Sequence, residues 1–356
     1  MKRFMAAALS VLVLGLSAVG CSGNKTASSG SSSNDKKANT SDISVGFCVY
    51  KFDDTFMTSV RNQMQKEATK EGVKLDVVDS QNKQATQNEQ VDAFITKGVS
   101  ALVVNPVDRT AAESIVEKAK AKNLPVIFIN REPEETVMKS YDKIWYVGAK
   151  AEQSGGIQGQ LMIDYFKKNK SADKNGNGAI DYVMLQGEPG HQDATLRTKY
   201  SIQTVNDSGM KTVKLAADTA YWDKAKATDL MNNFITSKGV DKIEAVFANN
   251  DDMALGAIES LKAHGYNKGD ASKFIPVVGV DATTPGLAAI QDGSMYGTAY
   301  NNGIDQGIAA MRIAVAAAQN KTITKDTAGF EVTSNKYVWI PYEKVTKDNC
   351  SKYMSK

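Results

Sequence analysis

A chain of 356 residues, 42% hydrophobic and 23% charged, can bury a large core, and a globular body of about 310 residues implies two domains. Once Lys2 and Arg3 are set aside, 41 basic side chains stand against 40 acidic ones. That near-neutrality, with no basic patch and no helix-turn-helix ahead of the body, excludes a nucleic-acid partner.

Met1-Lys2-Arg3, an apolar run from Phe4 to Leu16 and the small residues before Cys21 form a bacterial secretory signal. Small residues directly before a cysteine resemble a lipobox, with cleavage after residue 20 and lipidation of the Cys21 thiol. Ala18 stands where Leu is commoner, and the plainer reading is an ordinary signal with an incidental cysteine. The apolar run is too short to span a bilayer. Residues 21–42 are rich in Ser, Gly, Asn and Lys, cannot bury a core, and read as a flexible tether. Signal, anchor and tether place the body outside the cytoplasm, held at the outer face of the cytoplasmic membrane. The remaining cysteines, Cys48 and Cys350, are expected to be free.

After the tether, strands and helices alternate. Ile43–Tyr50 reads as a strand, 54–72 as a helix with Met57, Val60, Met64 and Ala68 on one stripe, and Val73–Asp79 as a strand. A helix over 84–97, a strand at Ala101–Val104, a helix over 110–122 and a strand at Pro125–Ile129 follow. The pattern restarts with a strand at Ile144–Val147 and a helix over 152–168. Strands at 181–186, 212–215, 244–248, 275–280 and 295–300 then alternate with helices at 193–207, 223–237, 252–263 and 284–291. A helix over 303–319 and a strand near Tyr337–Ile340 end the series. Short βα connections predict α/β architecture: two doubly wound parallel-sheet domains joined by several chain crossings, with a ligand cleft between them.

The stretch Asp173–Arg197 carries two chemistries. Asp173, Asn175 and Asn177 place oxygen donors at alternate positions before Gly178, which is how a calcium loop begins. Position 12 of an EF-hand would be Met184 instead of Glu, and a strand follows where a helix should. The segment is therefore either an Asn/Gly surface turn or a nine-residue loop, Asp173 to Asp181, whose bidentate carboxylate comes from elsewhere. Beyond the next strand lies Gly187-Glu188-Pro189-Gly190-His191-Gln192-Asp193, with Arg197 one turn on.

Polar groups recur at strand ends: Asp54, Asn105, His191 with Asp193, Asn250, Asp281 and Asn301. Each one alone is most simply a helix N-cap. Together they aim amides and carboxylates into one crevice, where open α/β sheets bind ligands. Groups that each make two or more hydrogen bonds suit a polyhydroxylated neutral molecule, and Phe56 and Trp222 supply flat rings for the C–H faces of a sugar.

The segments YKFDDTFM, QGEPGHQDA with its following Arg197, DTAYWD, IEAVFANND and VVGVDA, in that order, resemble the galactose/glucose-binding family of bacterial ABC transport receptors. The resemblance covers residues 43 to about 350 and implies the type I periplasmic binding protein fold. It implies a first lobe of residues 43–149 and 302–335 and a second of 150–301 and 336–356. Asp54, Asn105, His191, Asp193, Arg197, Asn250, Asp281 and Asn301 would hydrogen-bond D-galactose or D-glucose, with Phe56 and Trp222 on the two ring faces. In the family Asp54 meets the hydroxyl that distinguishes the two epimers. The resemblance also implies a structural Ca2+ held by Asp173, Asn175, Asn177, the Ala179 carbonyl, Asp181 and a distant Glu244. Asn177 stands where Asp is common and Asp181 where Gln is common, so three carboxylates are kept. The expected protein is a monomer that closes on its sugar and presents the closed form to a membrane permease. A chemotaxis receptor is a further partner the resemblance leaves open. The rivals are a receptor for another monosaccharide or signalling sugar, a sugar-responsive repressor, against which the secretory signal argues, and a glycosidase using Asp54 and Asp281 as its carboxylate pair.

Overall fold

The computed structural model describes residues 42–354 apart from Asn335; the signal, the Cys21 anchor and the tether lie outside the described residues. The first eleven elements are β1 (Ser44–Val49), α1 (Thr55–Glu71), β2 (Lys74–Asp79), α2 (Gln84–Lys97), β3 (Ala101–Val104), α3 (Ala112–Ala121), β4 (Val126–Ile129), α4 (Glu135–Lys139), β5 (Ile144–Gly148), α5 (Ala151–Lys168) and β6 (Ala179–Gln186). Next come α6 (Gln192–Asp207), β7 (Lys211–Thr219), α7 (Lys224–Lys238), β8 (Ala245–Ala248), α8 (Asp251–Ala263), β9 (Val277–Asp281), α9 (Thr284–Asp292) and β10 (Gly297–Tyr300). The chain ends with α10 (Gly303–Ala318), α11 (Lys325–Ala328), β11 (Tyr337–Trp339), β12 (Glu343–Thr346) and α12 (Ser351–Met354).

The central strands β3, β4 and β8 read ALVV, VIFI and AVFA, and every position in them is buried. Runs without polar alternation form strands covered on both faces, which parallel sheets require. Two six-stranded sheets result, in the orders β2-β1-β3-β4-β5-β11 and β7-β6-β8-β9-β10-β12. All pairings are parallel except β10 with β12. Both sheets thus share one order, in which the chain reverses direction across the sheet beside β1 and again beside β6. Such a switch point opens a crevice at the carboxyl ends of the strands.

The chain crosses between the lobes three times among the described residues: from β5 to α5, from β10 to α10, and from β11 to β12. Helix α10 packs on α1 and on β3, β4 and β5 of the first lobe. β5, where the alternation restarts, belongs to the first sheet, within the expected first lobe. One sequence expectation is corrected here. The return to the second lobe expected at residue 336 comes later: Tyr337–Trp339 pairs with Tyr146–Gly148 in the first sheet, and only from Glu343 is the chain in the second. β11 is a short apolar strand, and nothing local says which sheet edge accepts it. The Gln153 side chain joins two of the crossings, donating to the Tyr342 carbonyl and accepting from its N–H. Cys48 and Cys350 are free and buried.

Candidate functional site

In the first lobe the loop after β1 sets Asp54 at the N-cap of α1. One Asp54 oxygen accepts from the Met57 N–H at 2.7 Å, and the other accepts from the Tyr50 hydroxyl at 2.5 Å. One carboxylate therefore caps the helix and also lines the cavity. Phe56, one position into α1, is buried in the first lobe's core with its ring reaching the cleft. β4 ends in Asn130 and Arg131. The Arg131 guanidinium donates to the Val107 carbonyl at 2.6 Å, lies 3.8 Å over the Tyr50 ring, and pairs across the cleft with Glu188 at 2.9 Å.

In the second lobe β6 leads to Gly187, where a Cβ would stand 2.1 Å from the Trp222 ring; only glycine lets the indole lie that close. His191 caps α6, its Nδ1 accepting from the Asp193 N–H at 3.1 Å. The proton is then on Nε2, leaving a donor. Burial, followed by Arg131, Arg197 and Arg109, holds its pKa well below the ordinary value, so the ring is neutral. Arg197, one turn along α6, pairs with Asp193 at 2.9 Å and donates to the Asn249 carbonyl at 2.8 Å and the Tyr342 hydroxyl at 3.0 Å. Burial opposes its charge, but Tyr342, Asp193 and Asp281 outweigh that and push its pKa up. Asn250 caps α8 with its oxygen and donates to the Trp222 carbonyl with its nitrogen. Asp281, at the end of β9, accepts from Asn301, and Asn301 in turn accepts from Gln306. Burial raises the pKa of Asp281 well above the carboxylate range, against the pull of Arg197. Asp193 is raised in the same way, by burial against Arg197 and Arg131.

These groups line one cavity between the lobes, formed by Tyr50, Asp54, Phe56, Asn130, Arg131, His191, Asp193, Arg197, Trp222, Asn250 and Asp281. Three lining residues, Asn130, Trp222 and Asp281, have positive φ of 65°, 62° and 117°. Strain of this kind, of order 1–3 kcal/mol per residue, concentrates at ligand sites, where surrounding structure holds it in place. Among the described residues, Arg131 Nε, Arg197 Nε and Trp222 Nε1 are buried donors without a protein partner, and all three belong to this cavity.

Eight of the ten side chains expected at the site line the cavity; Asn105 and Asn301 do not. Asn105 is fully buried, accepts from the Tyr50 N–H, and donates to the Ile129 carbonyl and to Asn130, directly behind two cavity-lining residues. Asn301 lies behind Asp281 and orients it. Sequence reasoning missed Tyr50, Asn130 and Arg131. The signal for Asn130 was present: its strand also ends in Asn, the criterion applied to the other strands.

At the opposite end of β6 the Asp173–Asp181 loop closes on itself. Asp173 accepts from the N–H groups of Asn177 and Gly178, and Gly178 has φ of 74° where the chain turns. Asn175 and Asn177 each direct an amide to Asp181. Glu244, 1% exposed, joins from just before β8, accepting from the Lys174 N–H at 2.6 Å and the Asp181 N–H at 3.0 Å. Burial raises its pKa, and the like charges of Asp181 and Asp173 add to that. Among the described residues no three acidic, His or Cys side chains converge tightly enough to hold an ion by themselves. Any cation here needs amide and carbonyl oxygens as well, and the loop carries them.

The chain and its fold have counterparts. A periplasmic binding protein domain matches residues 45–322. A D-galactose/methyl-galactoside binding periplasmic protein of Haemophilus influenzae is 42% identical over 314 residues, 88% of this chain and 92% of that one. A ribose import binding protein of Bacillus subtilis is 32% identical over 260 residues, 73% and 76% of the two chains. An ABC transporter solute binding protein from Bacillus halodurans, solved with bound myo-inositol, superposes with a TM-score of 0.75 at 28% identity, over 89% of this chain and 99% of that one. With a matched domain this extensive on two lobes of identical strand order, the chain belongs to the periplasmic binding protein family, whose members bind solutes and are not enzymes.

Proposed function

We propose that this protein is the extracytoplasmic receptor of an ABC sugar transporter, capturing D-galactose or D-glucose between its lobes and delivering it to a membrane permease. The observation that carries the reading is the cavity's unused hydrogen-bonding capacity. Three buried donors lack a protein partner, and they face a mixed lining of carboxylates, amides and a neutral imidazole. Hydroxyls, which donate and accept, can meet every one of these groups. The Phe56 and Trp222 rings supply the apolar faces a pyranose needs.

The second lobe holds the sugar through His191, Asp193, Arg197, Trp222, Asn250 and Asp281. The first lobe adds Asp54, Phe56, Asn130 and Arg131 when the cleft shuts. Closure also forms contacts that touch no ligand: Arg131 with Glu188, Asn82 with Glu188 at 3.2 Å, and Thr55 with Asp252 at 2.8 Å. A ligand contacted by both lobes favours the closed state by its differential affinity, and a micromolar dissociation constant requires about −8 kcal/mol net.

Asp173, Asn175, Asn177, the Ala179 carbonyl, Asp181 and Glu244 would hold a Ca2+ that ties the loop to the start of β8. Its role is structural, supplying positive charge among three carboxylates. Lipidation at Cys21 would tether the protein beside its permease.

Calorimetry with a monosaccharide panel, with and without EDTA, tests the reading. Micromolar heat with galactose or glucose is expected. Heat only with ribose or myo-inositol would reassign the solute, and no heat with any sugar would overturn the proposal.

A further inference from the structure

Arg131 and Glu132 follow one another just beyond β4, and their side chains meet the second lobe in opposite ways. Arg131 reaches across to Glu188 at 2.9 Å. Glu132 faces the side where the chain crosses between the lobes. There it lines a space closed by residues 149–151 of the first crossing and by Trp339 at the end of β11. The second lobe contributes Glu152, Gln192 and Asp193. Asp193 also lines the sugar cavity, so it forms the wall between the two spaces. Carboxylates of both lobes are thus gathered beside the site, and Glu132 and Glu152 are not part of it.

Glu132 is half-buried, and the positive charge near it is committed elsewhere. Arg109 gives its Nε to the Glu132 backbone carbonyl at 2.8 Å and pairs with the exposed Glu134 at 3.4 Å. Lys150, on the first crossing, stands 5.6 Å from the centre of the Trp339 ring. Asp193 is paired with Arg197. Tyr146 and Tyr337 act on Glu132 from β5 and β11, and burial holds both phenols above the ordinary range, so they stay neutral. Burial raises the pKa of Glu132. A hydrogen bond from Gln192 and the charge of Arg109 pull it down, but Asp193 and Glu152 push it further up. Opening the lobes would return Glu132 to water and part it from Gln192, Asp193 and Glu152. A carboxyl that holds its proton more tightly in the closed form takes one up on closing. Closure is then favoured as pH falls and opposed as pH rises through the raised value.

We propose that Glu132 is a pH-sensitive brake on closure: its charge opposes bringing the lobes together, Arg131 beside it draws them together, and proton uptake at Glu132 releases the brake. Adjacent residues of one loop thus set the open–closed balance, and only one of them titrates. This rests on the sugar-receptor reading of the cavity and adds a control on it that touches no sugar.

The test compares the unmutated protein with Glu132→Gln, which keeps an acceptor for Gln192 and removes the charge. Galactose and glucose affinities are measured by calorimetry at pH 7.5 and pH 5, and the unliganded proteins are compared by small-angle scattering at both. The unmutated protein should bind about threefold more tightly at pH 5, the size of a partly screened charge contact. Glu132→Gln should bind about threefold more tightly than the unmutated protein at pH 7.5 and match it at pH 5. Without sugar, the unmutated protein should contract as pH falls, and the variant should be contracted at both values. An equal pH response in the variant would assign the titration to the sugar-facing carboxylates and overturn the brake. Weaker binding by the variant at both values would overturn it too, since the charge would then promote closure through Gln192. If neither hexose binds at either pH, the hexose reading fails by itself. The scattering comparison then decides the brake: contraction confined to the unmutated protein supports it, and contraction in both or neither overturns it.

Discussion

The two lobes are built on the same strand order, yet they hold the cavity differently. In the second lobe the polar groups are braced by their own side of the cleft and by the crossing strands. Arg197 is fastened to Asp193, Asn249 and Tyr342, and Asp281 to Asn301, which is fastened to Gln306. In the first lobe Asp54 is held locally by Tyr50, whereas Arg131 reaches across the cleft to Glu188. One topology therefore yields a half-site braced within its own lobe and at the crossings, and a half-site whose Arg131 is held both by its own lobe and across the cleft. On the proposed closing motion, the braced half would lower the ordering cost of binding and the cross-cleft half would couple binding to closure.

The largest expected effect comes from breaking the braced half. Arg197→Ala leaves Asp193 buried and unpaired, which costs about 3–5 kcal/mol of folding stability. Losing the charged donor itself, at about 1.5–3 kcal/mol, should lower hexose affinity by about tenfold to a hundredfold, and calorimetry reads it directly. If Arg131→Ala does equal damage, the asymmetry between the lobes is wrong.

The second lobe's reliance on buried carboxylates should also appear in its pH response. Burial pushes the pKa of Asp251 up to about 7, although Thr298 and Thr283 donate to it. A raised carboxyl binds its proton more tightly folded than unfolded, so its contribution to stability is greatest below about pH 4 and is lost as pH rises toward 7. Asp251→Asn should flatten that part of the stability profile by about 2–4 kcal/mol, measured by urea denaturation between pH 4 and 7. An unchanged slope would mean the carboxyl is not the titrating group.

The loop at the other end of β6 should matter for stability and not for binding. A cation at a hundred times its dissociation constant stabilises by about 2.7 kcal/mol, so EDTA should lower the melting temperature by about 5 °C. Glu244→Gln should remove most of that response and leave hexose affinity unchanged. EDTA insensitivity of the unmutated protein would return the loop to a plain Asn/Gly turn.

Smaller effects divide the aromatic wall from the closing contact. Trp222→Ala should weaken hexose binding by about tenfold, from stacking of up to about 1.5 kcal/mol beyond the buried area. Glu188→Gln weakens the cross-cleft contacts to Arg131 and Asn82 while keeping a hydrogen-bond acceptor, and should cost about 1 kcal/mol, or about fivefold in affinity. It should also widen the unliganded protein in small-angle scattering. If Glu188→Gln matches or exceeds Trp222→Ala, closure contacts outweigh ligand contacts.

Much of this was legible in the residues. Uninterrupted apolar strands announced parallel sheets, and polar strand ends announced the crevice. Capping and a place in the cavity were not true alternatives, because Asp54, His191 and Asn250 each cap a helix and also line the cavity. Asn105 and Asn130 show the limit. Both follow apolar strands of the first sheet, but Asn105 spends its amide on Tyr50 and Ile129. Asn130 turns into the cleft through a left-handed backbone. Strand periodicity reports which face is buried; it carries no information on where the residue after the strand points.

The sequence by itself determined the alternating α/β pattern, the loop donors from Asp173 to Asp181, and most of the groups at the strand ends, because burial periodicity, turn chemistry and side-chain type are local. Tertiary structure decided that β11 joins the first sheet and β12 the second. It also decided that Glu244 reaches the loop and that Arg131 meets Glu188 across the cleft. Those contacts join residues tens to hundreds of positions apart, and their partners are set by which sheet edge and which lobe surface remain unfilled once the local elements have packed.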